Sequence, residues 1–183
     1  AYFLNARDPH PKAADGEIRR LDPADGATAI VTMGVNLVDP GGFALDADGT
    51  FRVADPYGAA MKGVIARVDP LSGVQTVIAE GVFLGRPGDV SVAPGGAFSV
   101  VLDRAKGILR MDGASADTTV VSSRTGIVNA LAVETADTVL LADSGMKAIV
   151  RVDLVTGGET TLSTGGLLGD PTGLVLTPAG ALY

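Results

Sequence analysis

Ile65-Ala66-Arg67-Val68-Asp69-Pro70 is the stretch on which the reading of this chain turns, because the same phrase returns in three other places. It appears as Ile18-Arg19-Arg20-Leu21-Asp22-Pro23, as Ile108-Leu109-Arg110-Met111-Asp112-Gly113 and as Ile149-Val150-Arg151-Val152-Asp153-Leu154. Its arginines, at 20, 67, 110 and 151, are separated by steps of 47, 43 and 41 residues. A period of about 40–50 residues with several short strands per unit is the mark of a propeller built blade by blade.

Working outward from residue 65, each repeat resolves into four strands, a to d. Pro40-Gly41-Gly42 leads into Phe43-Ala44-Leu45 (a), and the turn Asp46-Ala47-Asp48-Gly49 precedes Thr50-Phe51-Arg52-Val53-Ala54-Asp55 (b). A loop then leads to residues 63–69 (c), and Pro70-Leu71-Ser72-Gly73 turns into residues 74–79 (d). Asp-Gly between apolar runs is a strong hairpin signal, and Pro-x-x-Gly presets a turn that needs φ > 0 at its last position. Strand a recurs at 89–92, 130–133 and 173–176, and strand b at 97–103 and 138–143. The expected fold is therefore all-β, a β-propeller with four-stranded blades and about four repeats. The repeats run approximately 1–38, 39–85, 86–126 and 127–168, with 169–183 opening the next, as a single propeller segment over 1–183.

Composition agrees. Of the 21 acidic residues, 17 are Asp and 4 are Glu, a skew toward turns rather than helix faces. The net charge of −7 lacks the basic patch that nucleic acid requires, and no apolar run approaches a membrane span. There is no Cys, which removes disulfides, thiolate metal sites and Cys nucleophiles. The chain starts in a strand b (residues 3–8) and ends by opening another (181–183), so the expectation is part of a six- or seven-bladed ring. A closed four-bladed ring, with residues 2–6 paired to 173–177, is the alternative. Exposed edge strands would need further blades or partner chains to cover them.

The phrase Ile-x-Arg-Val-Asp-Pro-x-x-Gly over residues 65–73, with Asp170-Pro171-Thr172-Gly173-Leu174 and the stretch 48–55, resembles NHL-repeat, SMP-30/gluconolactonase-like and streptogramin-lyase-like propellers. The resemblance covers nearly the whole chain but rests on blade architecture. It implies a larger ring in families that include lactonases, lyases and binding scaffolds, of bacterial, secreted character. It does not carry their chemistry over. The lyase-like enzymes use a His base near magnesium, and the single His here, His10, stands in a loop between two prolines. The lactonase-like enzymes hold a divalent cation with Glu, Asn and Asp, and Asn5, Asn36 and Asn129 match none of those motifs.

Two recurring sets read as architecture. The b–c loops carry all four lysines, Lys12, Lys62, Lys106 and Lys147, each after an Asp that closes strand b: Asp8, Asp55, Asp103 and Asp143. Such an Asp caps the following turn. The strand-c pairs Arg20/Asp22, Arg67/Asp69, Arg110/Asp112 and Arg151/Asp153 lie two apart on one face, which suits a turn-fixing or blade-to-blade role. Departures from the repeat carry more functional weight. The loops leading into strand a place Asp39, Asp89, Asn129 and Asp170 at one end of the channel, an oxygen set that could take Ca²⁺ or Mg²⁺; no other cofactor is implied. No catalytic residues are assigned. The expected function is a non-enzymatic binding module presenting rim loops to a protein, glycan or small ligand, in an extracellular or periplasmic setting. The alternatives are a fragment of a metal-dependent lactonase- or lyase-like enzyme, and a structural subunit that completes its ring by oligomerisation.

Overall fold

The structure, a computed structural model, describes residues 1–5, 16–58, 62–81, 84–124, 126–166, 168–177 and 179–183. Asp8, His10 and Lys12 lie outside the described residues. Among the described residues, fifteen strands form four antiparallel sheets in chain order. The first holds β1 (Tyr2–Asn5), β2 (Glu17–Leu21) and β3 (Thr28–Met33). The second holds β4 (Gly42–Leu45), β5 (Phe51–Asp55), β6 (Val64–Val68) and β7 (Gln75–Glu80). The third holds β8 (Pro87–Val92), β9 (Phe98–Asp103), β10 (Gly107–Asp112) and β11 (Thr118–Ser122). The fourth holds β12 (Val128–Val133), β13 (Thr138–Asp143), β14 (Ala148–Asp153) and β15 (Glu159–Thr164). Each sheet is a meander with every strand beside its sequence neighbour, which is the blade of a propeller.

The turns form as their residues require. Gly49 takes φ +84° to close the a–b hairpin, with Asp46 N–H donating to Thr50 O at 2.7 Å. The strand-c aspartates each accept the amide two residues on: Ala24 to Asp22 at 2.9 Å, Leu71 to Asp69 at 2.7 Å, Ala114 to Asp112 at 2.9 Å and Val155 to Asp153 at 2.8 Å. That is the Asx turn for which Asp is favoured. The turn amides, Leu71 first for Asp69, Ser115 for Asp112 and Thr156 for Asp153, hold these carboxyls below the usual carboxylate range. The a–b connection of the third blade instead winds through a 3-10 turn, Pro94–Gly96.

The core lies between the blades. Strand b alternates its side chains between two neighbours, and both faces are buried in β5 and β9. Val53 and Phe51 pack toward the first blade with Ile18 and Leu37, while Ala54 packs toward the third with Val101, Leu109 and Met111. Val100 and Leu102 then pack with Val139, Leu141 and Val150 of the fourth. Each such aliphatic side chain stabilises the stack by roughly 1.5–3 kcal/mol. Inner strands approach closely where Gly41 meets the third blade: a Cβ there would stand 2.3 Å from Gly88 O, so only glycine fits.

Among the described residues, β1 is paired on one edge only, to β2. Residues 173–177 do not pair with it. Val175 exchanges both backbone hydrogen bonds with Tyr183, at 2.8 and 2.9 Å, and Leu176 bridges Leu182. The fourth blade therefore does not close onto the first through these segments.

Candidate functional site

At one end of the blades, the aspartates that close strand b organise the loops. Asp55, Asp103 and Asp143 are buried. Asp55 accepts the amides of Val38, Asp39 and Tyr57 at 2.6, 2.9 and 2.8 Å. Asp103 accepts those of Gly85, Arg86, Ala105 and Lys106 at 2.6 to 3.1 Å. Each carboxylate thus caps its own b–c turn, as expected, and also ties down the loop that leads into strand a of the same blade. In the fourth blade Asp143 keeps the turn amide of Met146 at 2.7 Å, but the loop arrives through the Arg124 side chain, which also pairs with Glu159. Burial raises the Asp55 carboxyl above its ordinary range against these amide bonds.

The four residues of the channel-end set differ in their contacts. The exposed Asp39 is held through its backbone amide, on Asp55. Asn129 donates to Ser144 Oγ at 2.9 Å and to Pro171 O at 3.1 Å, which joins β12 to the segment after the exposed Asp170. Asp89 lies on inner strand β8 and accepts Leu131 N–H of the next blade at 3.0 Å and Val90 N–H at 2.9 Å. Among the described residues, no three His, Asp or Glu side chains gather in a way that could hold a metal ion.

Asp89 has no ion pair among the described residues, and desolvation lifts its carboxyl to about 6 against its two amide bonds. Because the folded-state value lies above the ordinary 3.8, its favourable contribution is complete below about pH 4 and is lost as pH rises through about 6. Urea unfolding at stepped pH should show the wild-type advantage over Asp89→Asn shrinking by on the order of 2 kcal/mol from pH 4 to 7. A pH-independent difference would refute this.

The opposite end contains the one clear break in symmetry among the described strands b. Register places Arg52 opposite Arg67, Val100 opposite Arg110, and Leu140 opposite Arg151. Each strand a is followed by Asp46, Ala93 or Glu134 in the three blades. In the fourth blade Arg151 grips Glu134 with two bonds of 2.6 Å, which hold the Glu134 carboxyl below its usual range. In the third, which has Ala93, the Arg110 guanidinium lies over the Phe98 ring at 3.8 Å. In the second blade the fully buried Arg52 takes the acid: its Nε donates to Asp46 Oδ2 at 2.7 Å, and Nη1 crosses to Ser99 Oγ of the third blade at 2.7 Å.

Arg67 is left over. Its contacts with Asp46 and Asp48 are 3.9 and 3.8 Å, and its buried Nε has no hydrogen-bond partner. Beside it a cleft of about 230 Å³ opens between the second and third blades, lined by Arg52, Arg67, Ile78, Asp112, Ser115 and Ala116. An unsatisfied buried donor costs about 1–3 kcal/mol, so an acceptor entering here is favoured. Within strand c the aspartates take the expected turn-fixing role in the c–d turns, while Arg151 reaches for the a–b turn and Arg110 for an aromatic ring. The role of Arg52 escaped the sequence reading, although a charged residue where the aligned strands have Val100 and Leu140 was its signal.

Blades, register and inter-blade core define the class: this is a β-propeller segment of about four blades. No protein-family model and no curated protein sequence matches the chain. Solved structures do resemble it. A chain of a nidogen/laminin complex aligns with TM-score 0.74 at 15% identity over 96% of this chain and 65% of its own. A Bacteroides thetaiotaomicron protein of unknown function gives 0.72 at 16% identity, over 92% and 47%. TolB of Acinetobacter baumannii gives 0.71 at 16%, over 98% and 45%. The chain thus spans less than two thirds of each of these neighbours, and the likeness is one of fold.

Proposed function

We propose that the chain is a non-enzymatic binding module whose contact site is the cleft between the second and third blades. The observation that carries this reading is the under-satisfied Arg67 beside a polar cleft, at the only described blade pair where a buried Arg52 has displaced the usual partner. A repeated role would be satisfied in every blade, whereas recognition requires a local exception. A neighbour of the same fold that takes part in a nidogen/laminin complex agrees with such a use.

The test is a side-chain NMR map. Small polar probes at millimolar concentration, namely methyl pyranosides and N-acetylated amino acid amides, should shift signals of Arg67, Ser115 and Ala116 first. Shifts confined to the b–c loop end around Asp55 and Asp103 would overturn the assignment. So would Mg²⁺- or Ca²⁺-dependent opening of a δ-lactone above background, which belongs to the enzyme alternative.

A further inference from the structure

Building on that binding reading, the chemistry of the same cleft narrows its ligand. Its volume of about 230 Å³ falls below the roughly 300–1,000 Å³ of pockets that take drug-sized molecules, so it suits a single ring-sized group. Of the charged residues that line it, Arg52 is already paired with Asp46, and Arg67 has Asp112 in the same lining and Asp48 at 3.8 Å, so each cation stands near an acid. A charged ligand of either sign would meet a like charge here.

The hydrogen-bonding capacity that remains is of both kinds. The buried Arg67 Nε–H has no hydrogen-bond partner, and the ion-pair contacts of its half-exposed guanidinium are 3.8 and 3.9 Å, so turning toward an acceptor breaks no close bond. The bonds to Asp112 from Ala114 N–H and Ser115 N–H fall on Oδ1, at 2.9 and 2.8 Å, while Ser115 Oγ–H donates to Asp117 Oδ2 at 2.8 Å, which leaves Asp112 Oδ2 to accept. Those on Asp48 from Thr50 likewise fall on Oδ1. A hydroxyl can accept from a guanidinium and donate to a carboxylate at once, as a primary amide can, and a saccharide ring carries several hydroxyls above an apolar C–H face. Ile78 and Ala116 supply an apolar wall for the C–H face of such a ring.

We propose that this cleft binds a neutral polyhydroxyl ligand, one saccharide ring, between the Arg67 guanidinium and the Asp112 carboxylate. With no aromatic platform in the lining, a single ring binds in the millimolar range. The experiment titrates the ¹⁵N-labelled full chain with methyl pyranosides of glucose, mannose and galactose, reading the Arg67 Nε–H and Ser115 amide signals. At least one is expected to give a saturable shift at both. Arg67→Gln, which removes a half-exposed guanidinium with no close ion pair, should keep the folded spectrum and weaken binding about tenfold or more. Arg67→Lys should weaken it too, since it keeps the charge and loses the fork. N-acetylglutamate should give no saturable shift. A saturable shift by N-acetylglutamate without one by the pyranosides would overturn the saccharide assignment and leave the binding module standing. Silence of Arg67 and Ser115 toward every probe would overturn both.

Discussion

Replacing Asp103 by alanine is expected to lower the melting temperature by about 8–15 °C, the largest effect of any single substitution considered for this chain. The carboxylate is fully buried and accepts four backbone amides, two from the loop leading into β8 and two from its own b–c turn. Hydrogen bonds to a charged acceptor contribute about 1.5–3 kcal/mol each, and loop relaxation onto water recovers part of that, leaving a net loss of about 4 kcal/mol. A protein of this size shifts by about 2–4 °C per kcal/mol. Asp55→Ala, which removes three amide bonds, should cost less than Asp103→Ala. In Asp143→Ala the loop loses Arg124 rather than amides, and a freed guanidinium can find solvent. Differential scanning calorimetry of the three variants checks the order. A loss under 2 °C for Asp103→Ala would mean that the loops hold without the carboxylate.

The second large effect concerns Arg52. Arg52→Val removes a guanidinium that is 2% exposed and leaves Asp46, 6% exposed, without its close partner. Breaking one side of a buried pair costs about 3–5 kcal/mol. Arg67, already 3.9 Å from the same oxygen, can swing in as Arg151 does on Glu134, so the loss should fall near the lower end. Adding Asp46→Ala reproduces what the third blade has at the same register, Val100 and Ala93, and should return stability to within about 1 kcal/mol of wild type. A double variant as unstable as the single one would show that the ion pair is not what the cost reflects. If the recovery is found, the pair is retained for something other than stability, which is what a recognition site predicts.

The two experiments probe opposite ends of the blades, and that contrast bears on how function is arranged. The strand-b aspartates recur at the same place and tie down the same loops, through amides at Asp55 and Asp103 and through Arg124 at Asp143, so they build the scaffold. The cleft exists because one register position departs from its equivalents. Arg52 and Arg67 stand directly opposite each other, where like charges are unfavourable unless an acid is shared, and Asp46 is shared unequally at 2.7 and 3.9 Å.

Much of this architecture was legible in the chain itself. The 41–47-residue repeat, Asp-Gly at residues 48–49 and the Asp at the end of each strand c carry local information, because a turn is decided by the residues within it. The apolar character of both faces of strand b likewise announces blades stacked against blades. The candidate site was not legible in the same way. Asp39, Asp89, Asn129 and Asp170 occupy equivalent loops, yet Asp89 turns to the next blade's Leu131 amide while Asp39 is exposed. Arg67 reads like Arg110 and Arg151. Only the tertiary structure distinguishes them, because whether an arginine finds its acid depends on which blade faces it across the stack and which competing cation reaches that acid first. Repeat, turn and strand were written locally in the sequence; partner choice among buried charges was decided by inter-blade packing.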